Sequence, residues 1–154
     1  MPKRSAGIVM YRHQAGALQV LLVHPGGPFW AKKEEGAWSI PKGEYDDPED
    51  PLLAAKREFA EELGIAPPDA ECRPLGDIKQ SGGKIVTAFA LAGDCDTAAI
   101  NPGRFEMEWP PRSGRMQTFP EIDRAGWFSL ADARVKILAS QLPLIDRLET
   151  LLQG

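Results

Sequence analysis

The stretch DPLLAAKREFAEELG, residues 50–64, decides how the rest of the chain is interpreted. Asp50 is a residue type that caps helix N-termini, Pro51 suits the first helical turn, and Gly64 is typical of the position just past a helix C-terminus. The stretch therefore predicts a helix over residues 51–63, with Asp50 as its N-cap and Gly64 closing it.

This predicted helix carries three glutamates on one face. At 100° per residue, Glu58, Glu61 and Glu62 fall within an arc of about 100°, with apolar residues roughly opposite. Like charges three or four residues apart cost about 0.2–0.5 kcal/mol per pair, and acids near a helix C-terminus oppose its dipole. A solvated acidic face is the simpler explanation, but one arginine, Arg57, cannot neutralise three acids. Clustered carboxylates are ligands for Mg²⁺, which bridges them to substrate phosphates, so the residues predict a divalent-cation site.

Length and composition restrict the class of protein. A chain of 154 residues predicts one domain, residues 1–154, and 43% hydrophobic with 26% charged residues is typical of soluble globular proteins. The net charge of −4 argues against binding a nucleic acid polymer or an anionic membrane surface. No apolar stretch reaches the roughly 18 residues that a transmembrane helix needs, and no signal peptide is evident. We expect a cytoplasmic protein with small-molecule partners; the sequence indicates no oligomeric state.

The rest of the chain reads as a mixed α/β unit. Two early strands are predicted at residues 5–12 and 18–24, followed by a mobile Gly/Pro-rich loop at 25–38. Further strands are predicted at 73–80, 84–93, 105–109 and 125–130. A basic loop is expected between the last two strands, and the tail from residue 130 has helical periodicity.

The run from Gly43 through Glu49 to REFAEELGI (57–65) resembles the Nudix box, G-x5-E-x7-R-E-U-x-E-E-x-G-U, where U is a bulky aliphatic or aromatic residue. Every specified position of that motif is filled. The resemblance implies the α/β fold of the Nudix family, an α/β/α sandwich with a mixed β-sheet and the box helix packed on it. It also implies hydrolysis of a phosphoanhydride in a nucleoside diphosphate joined to another group, with Mg²⁺ as the cofactor and Mn²⁺ as a possible substitute.

The resemblance implies roles for the box residues. The metal ligands would be Glu58, Glu61, Glu62 and the backbone carbonyl of Gly43. Glu49 would hold Arg57, and Arg57 would orient the carboxylates, a task that suits a guanidinium because it pairs with a carboxylate through two hydrogen bonds.

Two carboxylates are candidates for the base that takes the proton of the attacking water. Glu58 belongs to the box itself. Glu121, in FPEIDRAGWF, resembles the position from which several Nudix enzymes supply a further carboxylate from a loop facing the box helix. Glu106 and Glu108 in FEMEW are competitors for this role, and a solvated loop glutamate is the alternative explanation for Glu121.

Candidate substrate contacts surround the box. WSIPKGE (38–44) resembles the run before the box in Nudix hydrolases of dinucleoside polyphosphates and of diphosphoinositol phosphates, which makes Lys42 a candidate phosphate contact. Further cationic candidates are Arg12, Arg112 and Arg115. Trp30, Trp38 and Trp109 are aromatic candidates for stacking on a base, with packing in the core or a loop as an equal alternative for each.

The sequence leaves the substrate open among three hypotheses. PLGDIKQSGGK (74–84) lacks the tyrosine that marks many dinucleoside polyphosphate hydrolases, and Pro74 comes too early to match the proline of ADP-ribose enzymes. The leading hypothesis is a Mg²⁺-dependent pyrophosphohydrolase of a dinucleoside polyphosphate or a nucleoside triphosphate. The alternatives are an enzyme acting on a diphosphoinositol or other non-nucleotide polyphosphate, and a non-catalytic nucleotide-sensing domain.

Overall fold

A computed structural model describes residues 3–153. Its strands are β1 (Arg4–Gln14), β2 (Ala17–Pro25), β3 (Lys42–Glu44), β4 (Cys72–Lys79), β5 (Ile85–Ala92), β6 (Arg104–Glu108), β7 (Met116–Pro120) and β8 (Ile122–Ser129). Its α-helices are α1 (Pro51–Leu63), α2 (Leu130–Lys136) and α3 (Leu142–Gln153). None of the helices in residues 3–153 is both long and apolar enough to cross a membrane.

Most strands belong to one mixed sheet, in the order β4-β5-β1-β2-β8, with β3 also paired to β1. β1 and β5 are parallel, and the other neighbours are antiparallel. β6 and β7 form a separate two-stranded sheet. The mixed sheet that the sequence predicts is confirmed.

The segment before α1 is inserted between β1 and β2. These two strands pair only near their connection, over residues 11–14 and 17–20. Farther along, Ser39 pairs with Val23 of β2, and the N–H of Ile8 in β1 donates to the carbonyl of Pro41 at 3.1 Å. β3 then continues along β1, so the residues that lead into the box are part of the sheet.

Helices cover both faces of the sheet, because side chains of the central strands alternate between the two sides. Ile8 of β1 packs in a cluster with Phe59 and Leu63 of α1. Val9, the next residue along the strand, packs in a second cluster with residues of α2 and α3. This is the predicted α/β/α sandwich. In it, α1 covers one face of the sheet, where it contacts β1, β3 and β5.

The ends of α1 follow from local sequence, as predicted. Asp50 accepts hydrogen bonds from the N–H groups of Leu52 and Leu53 at 3.0 and 3.2 Å. Gly64 ends the helix with φ 69°, a conformation that glycine adopts without strain, and its N–H donates to Ala60 O. These two caps fix which turn of the helix carries each glutamate.

The basic loop predicted at residues 110–124 is wrong in part. β7 occupies its centre and pairs with β6, placing Phe119 opposite Phe105, and β8 begins at Ile122 rather than at residue 125. The sequence does not predict β7 because Gln117 and Thr118 interrupt any apolar pattern. A two-stranded sheet that is exposed on one face does not need an apolar run. In the predicted loop at 25–38, the last residue, Trp38, is buried and forms an isolated bridge with Ile137.

Candidate active site

β3 and α1 bring the box residues into contact. The N–H of Lys42 donates to Glu62 Oε1 at 3.0 Å, which ties the loop to the last turn of the helix. The carboxylate of Glu58 occupies the space where a Cβ atom on Gly43 would lie, so a larger residue at this position would displace the carboxylate. The loop and the acidic face of α1 are therefore packed as one unit.

Arg57 is surrounded by acids. It pairs with Glu49 through two hydrogen bonds of 2.9 and 2.8 Å, and its Nη1 donates to Glu58 at 2.7 Å and to Glu61 at 3.2 and 3.3 Å. The hydrogen bonds that Arg57 donates to Glu49 lower the pKa of Glu49 and raise the pKa of Arg57. The pairing that the sequence predicts between Arg57 and Glu49 is present.

Burial leaves two acids of α1 poorly stabilised in their charged form. It raises the pKa of Glu62 to about 8, although the Lys42 N–H and ammonium oppose the shift. Burial also raises the pKa of Glu58, against the effect of Arg57. Burial likewise lowers the pKa of the Lys42 ammonium. A bound cation would relieve the cost of holding Glu58 and Glu62 ionised side by side.

The predicted ligands do not converge on one point. Within residues 3–153, no group of three or more acidic, histidine or cysteine side chains is gathered closely enough to hold a metal ion. Glu58 turns toward Arg57, Glu62 turns toward the Lys42 N–H, and the Glu61 side chain is 59% exposed. The set still fits a hard divalent cation, because it offers only oxygen donors and because the Glu58 carboxylate lies directly against Gly43.

A pocket of about 240 Å³ adjoins this unit. Its polar lining comes from Lys42, Glu62, Glu121 and Ser39, and its remaining wall from Val23, Pro25, Trp30, Ala37, Ile122 and Leu138. The apolar residues come from three segments that are far apart in the sequence, and for this reason no local pattern identifies them. The pocket therefore has charged groups beside a surface suited to an apolar or aromatic group.

Glu121 lies on this pocket, held by its backbone between two loops. Its carbonyl accepts from Gly26 N at 2.9 Å, and its N–H donates to Gly103 O at 2.8 Å. Its negative charge contributes to the raised pKa of Glu62. The competing candidates do not line the pocket: Glu106 and Glu108 are exposed on β6, and Glu108 accepts from the Arg112 N–H. The structure thus brings Glu121 to the box and leaves the other two acids outside it.

Trp38 does not lie in the pocket. It is 4% exposed and packs in the core against His24 and Phe128, with ring centroids 5.1 and 4.9 Å away. The backbone alternates at this point, so its neighbours Ala37 and Ser39 line the pocket while the indole turns to the other face of the sheet. The structure therefore places Trp38 in the core and not among the residues that line the pocket, where a contact with substrate was expected.

The other two candidates for base stacking, Trp30 and Trp109, lie in different surroundings. Trp30 lines the pocket, and the Lys33 ammonium lies over its ring, 5.1 Å from the centroid. Trp109 instead packs edge-on against Phe29 at 5.2 Å, which ties the β6–β7 hairpin to the loop after β2. Only Trp30 keeps the position that base stacking requires.

The predicted arginine contacts are also outside the pocket. Arg12 lies six residues along β1 from Ala6, which pairs with Gly43, and this corresponds to about 20 Å. There it bonds Asp94 at 2.7 Å and stacks over Trp127 at 4.1 Å. Arg112 and Arg115 are exposed in the connection between β6 and β7 and do not line the pocket.

Two comparisons of the sequence with known proteins gave different outcomes. A family model of the NUDIX domain matches residues 1–148. A search among curated proteins finds no match.

Solved structures share the fold over nearly the whole chain. An Ap4A hydrolase binary complex from C. elegans is 25% identical, with a TM-score of 0.67 and coverage of 99% of this chain and 98% of that one. The NUDIX domain of NrtR from Shewanella oneidensis, complexed with ADP ribose, is 18% identical, with a TM-score of 0.67 and coverage of 99% and 89%. A mutT/nudix family protein from Listeria innocua is 19% identical, with a TM-score of 0.64 and coverage of 99% and 96%.

Proposed function

The chain belongs to the NUDIX family of phosphoanhydride hydrolases, and from that premise we propose that it is a Mg²⁺-dependent pyrophosphohydrolase of nucleotides. Its substrates would be nucleoside diphosphates linked to another group, of which dinucleoside polyphosphates and nucleoside triphosphates suit the site best. The observation that carries the proposal is the contact between the acids of α1, the Lys42–Gly43 loop and the pocket that holds Glu121.

The ion would be held by oxygen atoms on α1 and β3. Glu58, Glu61 and Glu62 supply carboxylates, and Gly43 supplies a backbone carbonyl. When bound, Mg²⁺ neutralises phosphate charge and lowers the pKa of the attacking water. Arg57, fixed by Glu49, keeps the carboxylates of Glu58 and Glu61 in defined directions.

The proton of the attacking water needs an acceptor beside the ion. Glu121 faces the box acids from across the pocket and is exposed, so it can reach a water molecule. Glu58 is the second candidate, but its Oε1 already accepts from Arg57 at 2.7 Å. We therefore assign the general base to Glu121.

The pocket suits one nucleobase. Drug-sized ligands occupy pockets of about 300–1,000 Å³, so 240 Å³ accommodates a base or a similar ring and not a whole dinucleotide. Trp30 would offer an aromatic face to the base, and Lys42, which lines the pocket with Glu62, would contact a phosphate between the base and the acids. The C. elegans Ap4A hydrolase, with the same fold at 25% identity, supports a dinucleoside polyphosphate as substrate.

A diphosphoinositol phosphate fits the pocket less well. Its many phosphates require a strongly basic surface, whereas Lys42 is the only cation among the described residues that line this pocket. A sensor that does not cleave is also disfavoured, because it would have no use for acids whose charges repel one another.

The test is a substrate panel at fixed enzyme concentration with Mg²⁺ or Mn²⁺, with the products separated by chromatography. The panel contains dinucleoside polyphosphates, nucleoside triphosphates, ADP-ribose and a diphosphoinositol phosphate. Metal-dependent cleavage of a dinucleoside polyphosphate or a triphosphate supports the proposal. Binding of these nucleotides without any cleavage, or selective cleavage of the inositol compound, would refute it.

A further inference from the structure

Gln141 is a fully buried polar side chain that the proposed chemistry does not use. It ends the short 3₁₀ helix Ala139–Gln141, just before α3. Buried amides are retained when each polar atom has a partner, and a lost partner costs about 1–3 kcal/mol. The hydrogen-bond partners of this amide therefore show which segments of the chain it holds in place.

Both polar atoms of the amide reach the segment that leads into the box. Oε1 accepts from Ile40 N at 3.0 Å, and Nε2 donates to Ser39 Oγ at 3.0 Å. Nε2 also donates to Gln80 Oε1 at 3.0 Å, next to the turn between β4 and β5. Gln141 thus joins two distant loops and is fully hydrogen-bonded in doing so.

The backbone donors of this segment explain why Ile40 needs a side-chain partner. The N–H of Trp38 donates to Lys136 O at 3.0 Å, and that of Ser39 donates to Val23 O at 2.9 Å. Pro41 has no N–H. Ile40 lies between them, where the segment leaves β2 and approaches β1, and the Gln141 amide accepts its hydrogen.

The next backbone N–H group along the segment belongs to Lys42, and it donates to Glu62 Oε1. Two consecutive available N–H groups, those of Ile40 and Lys42, are therefore bound by side chains from two different helical elements. One acceptor, Gln141, carries no charge, while the other is a proposed metal ligand. When Glu62 turns toward an ion, Gln141 is the side chain that still holds the segment.

We infer that Gln141 is a positioning residue for the active site, and this inference rests on the proposed function. Its amide anchors Ser39 and Ile40, the residues that lead directly into Lys42 and Gly43. β3 holds Gly43 through its pairing with β1, and the Gln141 amide acts with that pairing to fix the Gly43 carbonyl relative to the carboxylates of α1. A displacement of about 1 Å is enough to cost roughly 100-fold in rate.

The test compares three full-length proteins: wild-type, Gln141→Met and Gln80→Met. Methionine keeps the volume and removes the amide. Gln80→Met is the matched control, because it removes the third hydrogen bond and leaves Ser39 and Ile40 bonded. Mg²⁺ uptake is measured by calorimetry without substrate, and kcat and the Mg²⁺ dependence are measured with the best substrate.

Gln141→Met should weaken Mg²⁺ binding or lower kcat by roughly 10- to 100-fold, the usual effect of losing a group that orients a metal ligand. Gln80→Met should stay within about threefold of wild-type. Equal effects in Gln141→Met and Gln80→Met would overturn the inference, as would a Gln141→Met protein that loses thermal stability alone.

Amide hydrogen exchange gives a readout that needs no activity and no variant. In the wild-type protein, the Ile40 amide should exchange in step with those of Ile137 and Gln141, as members of one cooperative unit. In folded Gln141→Met, the Ile40 amide should exchange about tenfold faster.

The positioning role of Gln141 would be refuted if the Ile40 amide of the wild-type protein exchanged as fast as exposed loop amides, even if the substrate panel succeeds. If the panel fails, exchange and calorimetry still test the anchor.

Discussion

Arg57 and Glu49 are joined by two parallel hydrogen bonds, Nε to Oε2 at 2.9 Å and Nη2 to Oε1 at 2.8 Å. The third nitrogen of the guanidinium, Nη1, donates to Glu58 and Glu61. One arginine therefore connects the loop before α1 with two of the proposed ligands, and the loop sets the direction of the guanidinium.

Arg57→Lys tests this connection. Lysine keeps the charge but cannot form the paired contact, so we expect kcat to fall roughly 10- to 100-fold with little change in KM. Arg134→Lys is the control, because Arg134 also bonds two acids, Asp146 and Glu149, but lies on α2 across the sheet. Steady-state kinetics of both variants provide the measurement. Equal activity of Arg57→Lys and wild-type would contradict the orienting role.

Removing one acid of α1 should nearly abolish turnover. Glu61→Gln or Glu62→Gln deletes a proposed ligand and should lower kcat by about 100-fold or more, while the fold is retained. The loss of like-charge repulsion should stabilise the fold slightly at the exposed Glu61 and more at the buried Glu62. Glu71→Gln, an exposed acid just before β4, should have wild-type activity. Activity assays at saturating Mg²⁺ and circular dichroism separate the two effects. A Glu61→Gln enzyme with wild-type kcat would remove Glu61 from the ligand set.

The buried Glu62 makes stability depend on pH. Burial raises its pKa from 4.5 to about 8, so between these values the folded protein binds more protons at Glu62 than the unfolded chain does. The contribution of Glu62 to stability therefore falls as pH rises through this window. Glu62→Gln should gain stability relative to wild-type across the window, on the order of 2–4 kcal/mol at pH 8. Urea unfolding in EDTA at several pH values measures the difference; a constant difference would be inconsistent with a buried acid.

Glu121→Gln should change the pH profile of the reaction. A general base matters most at neutral pH, since at high pH water loses its proton more readily without help. The variant should therefore be slowed roughly 100-fold or more near pH 7 and less at high pH. Glu106→Gln is the control on the neighbouring hairpin. An unchanged profile in Glu121→Gln would assign the proton transfer elsewhere, with Glu58 as the next candidate.

Substitution by alanine should affect KM at Trp30 and stability at Trp38. Trp30→Ala should raise KM for a nucleotide about tenfold with little effect on stability, because stacking on a base contributes about 1–3 kcal/mol. Trp38→Ala should instead lower the free energy of unfolding by about 3–5 kcal/mol, as expected for an aromatic side chain removed from a core. Kinetics and urea unfolding separate the outcomes. A higher KM in Trp38→Ala alone would reverse the assignment.

Local signals explain what the sequence predicts well. The caps of α1, Asp50 and Gly64, act through backbone groups within four residues, so their positions are evident before any fold is known. The contact between Arg57 and Glu49 is also local, because the two residues are eight positions apart, across the N-cap and about two helical turns. The position of each glutamate on the helix follows directly from these features.

Long-range packing explains what the sequence does not predict. Trp38 and Ala37 are adjacent, yet one lies in the core and the other lines the pocket, because the segment pairs on both sides with other parts of the chain. Arg12 belongs to the same strand as Ala6 but lies at its far end, a distance that a short motif does not reveal. The directions of the glutamate side chains likewise depend on Arg57 and the Lys42 N–H, which helical spacing does not specify.

The hydrogen bond between Ile40 and Gln141 spans 101 positions in the sequence. A chain growing on a ribosome would contain the entire box and still lack the side chain that anchors the preceding loop. Synthesis must pass residue 141 before that bond can form. A nascent chain arrested before this point should therefore be inactive, although every residue of the motif has already been translated.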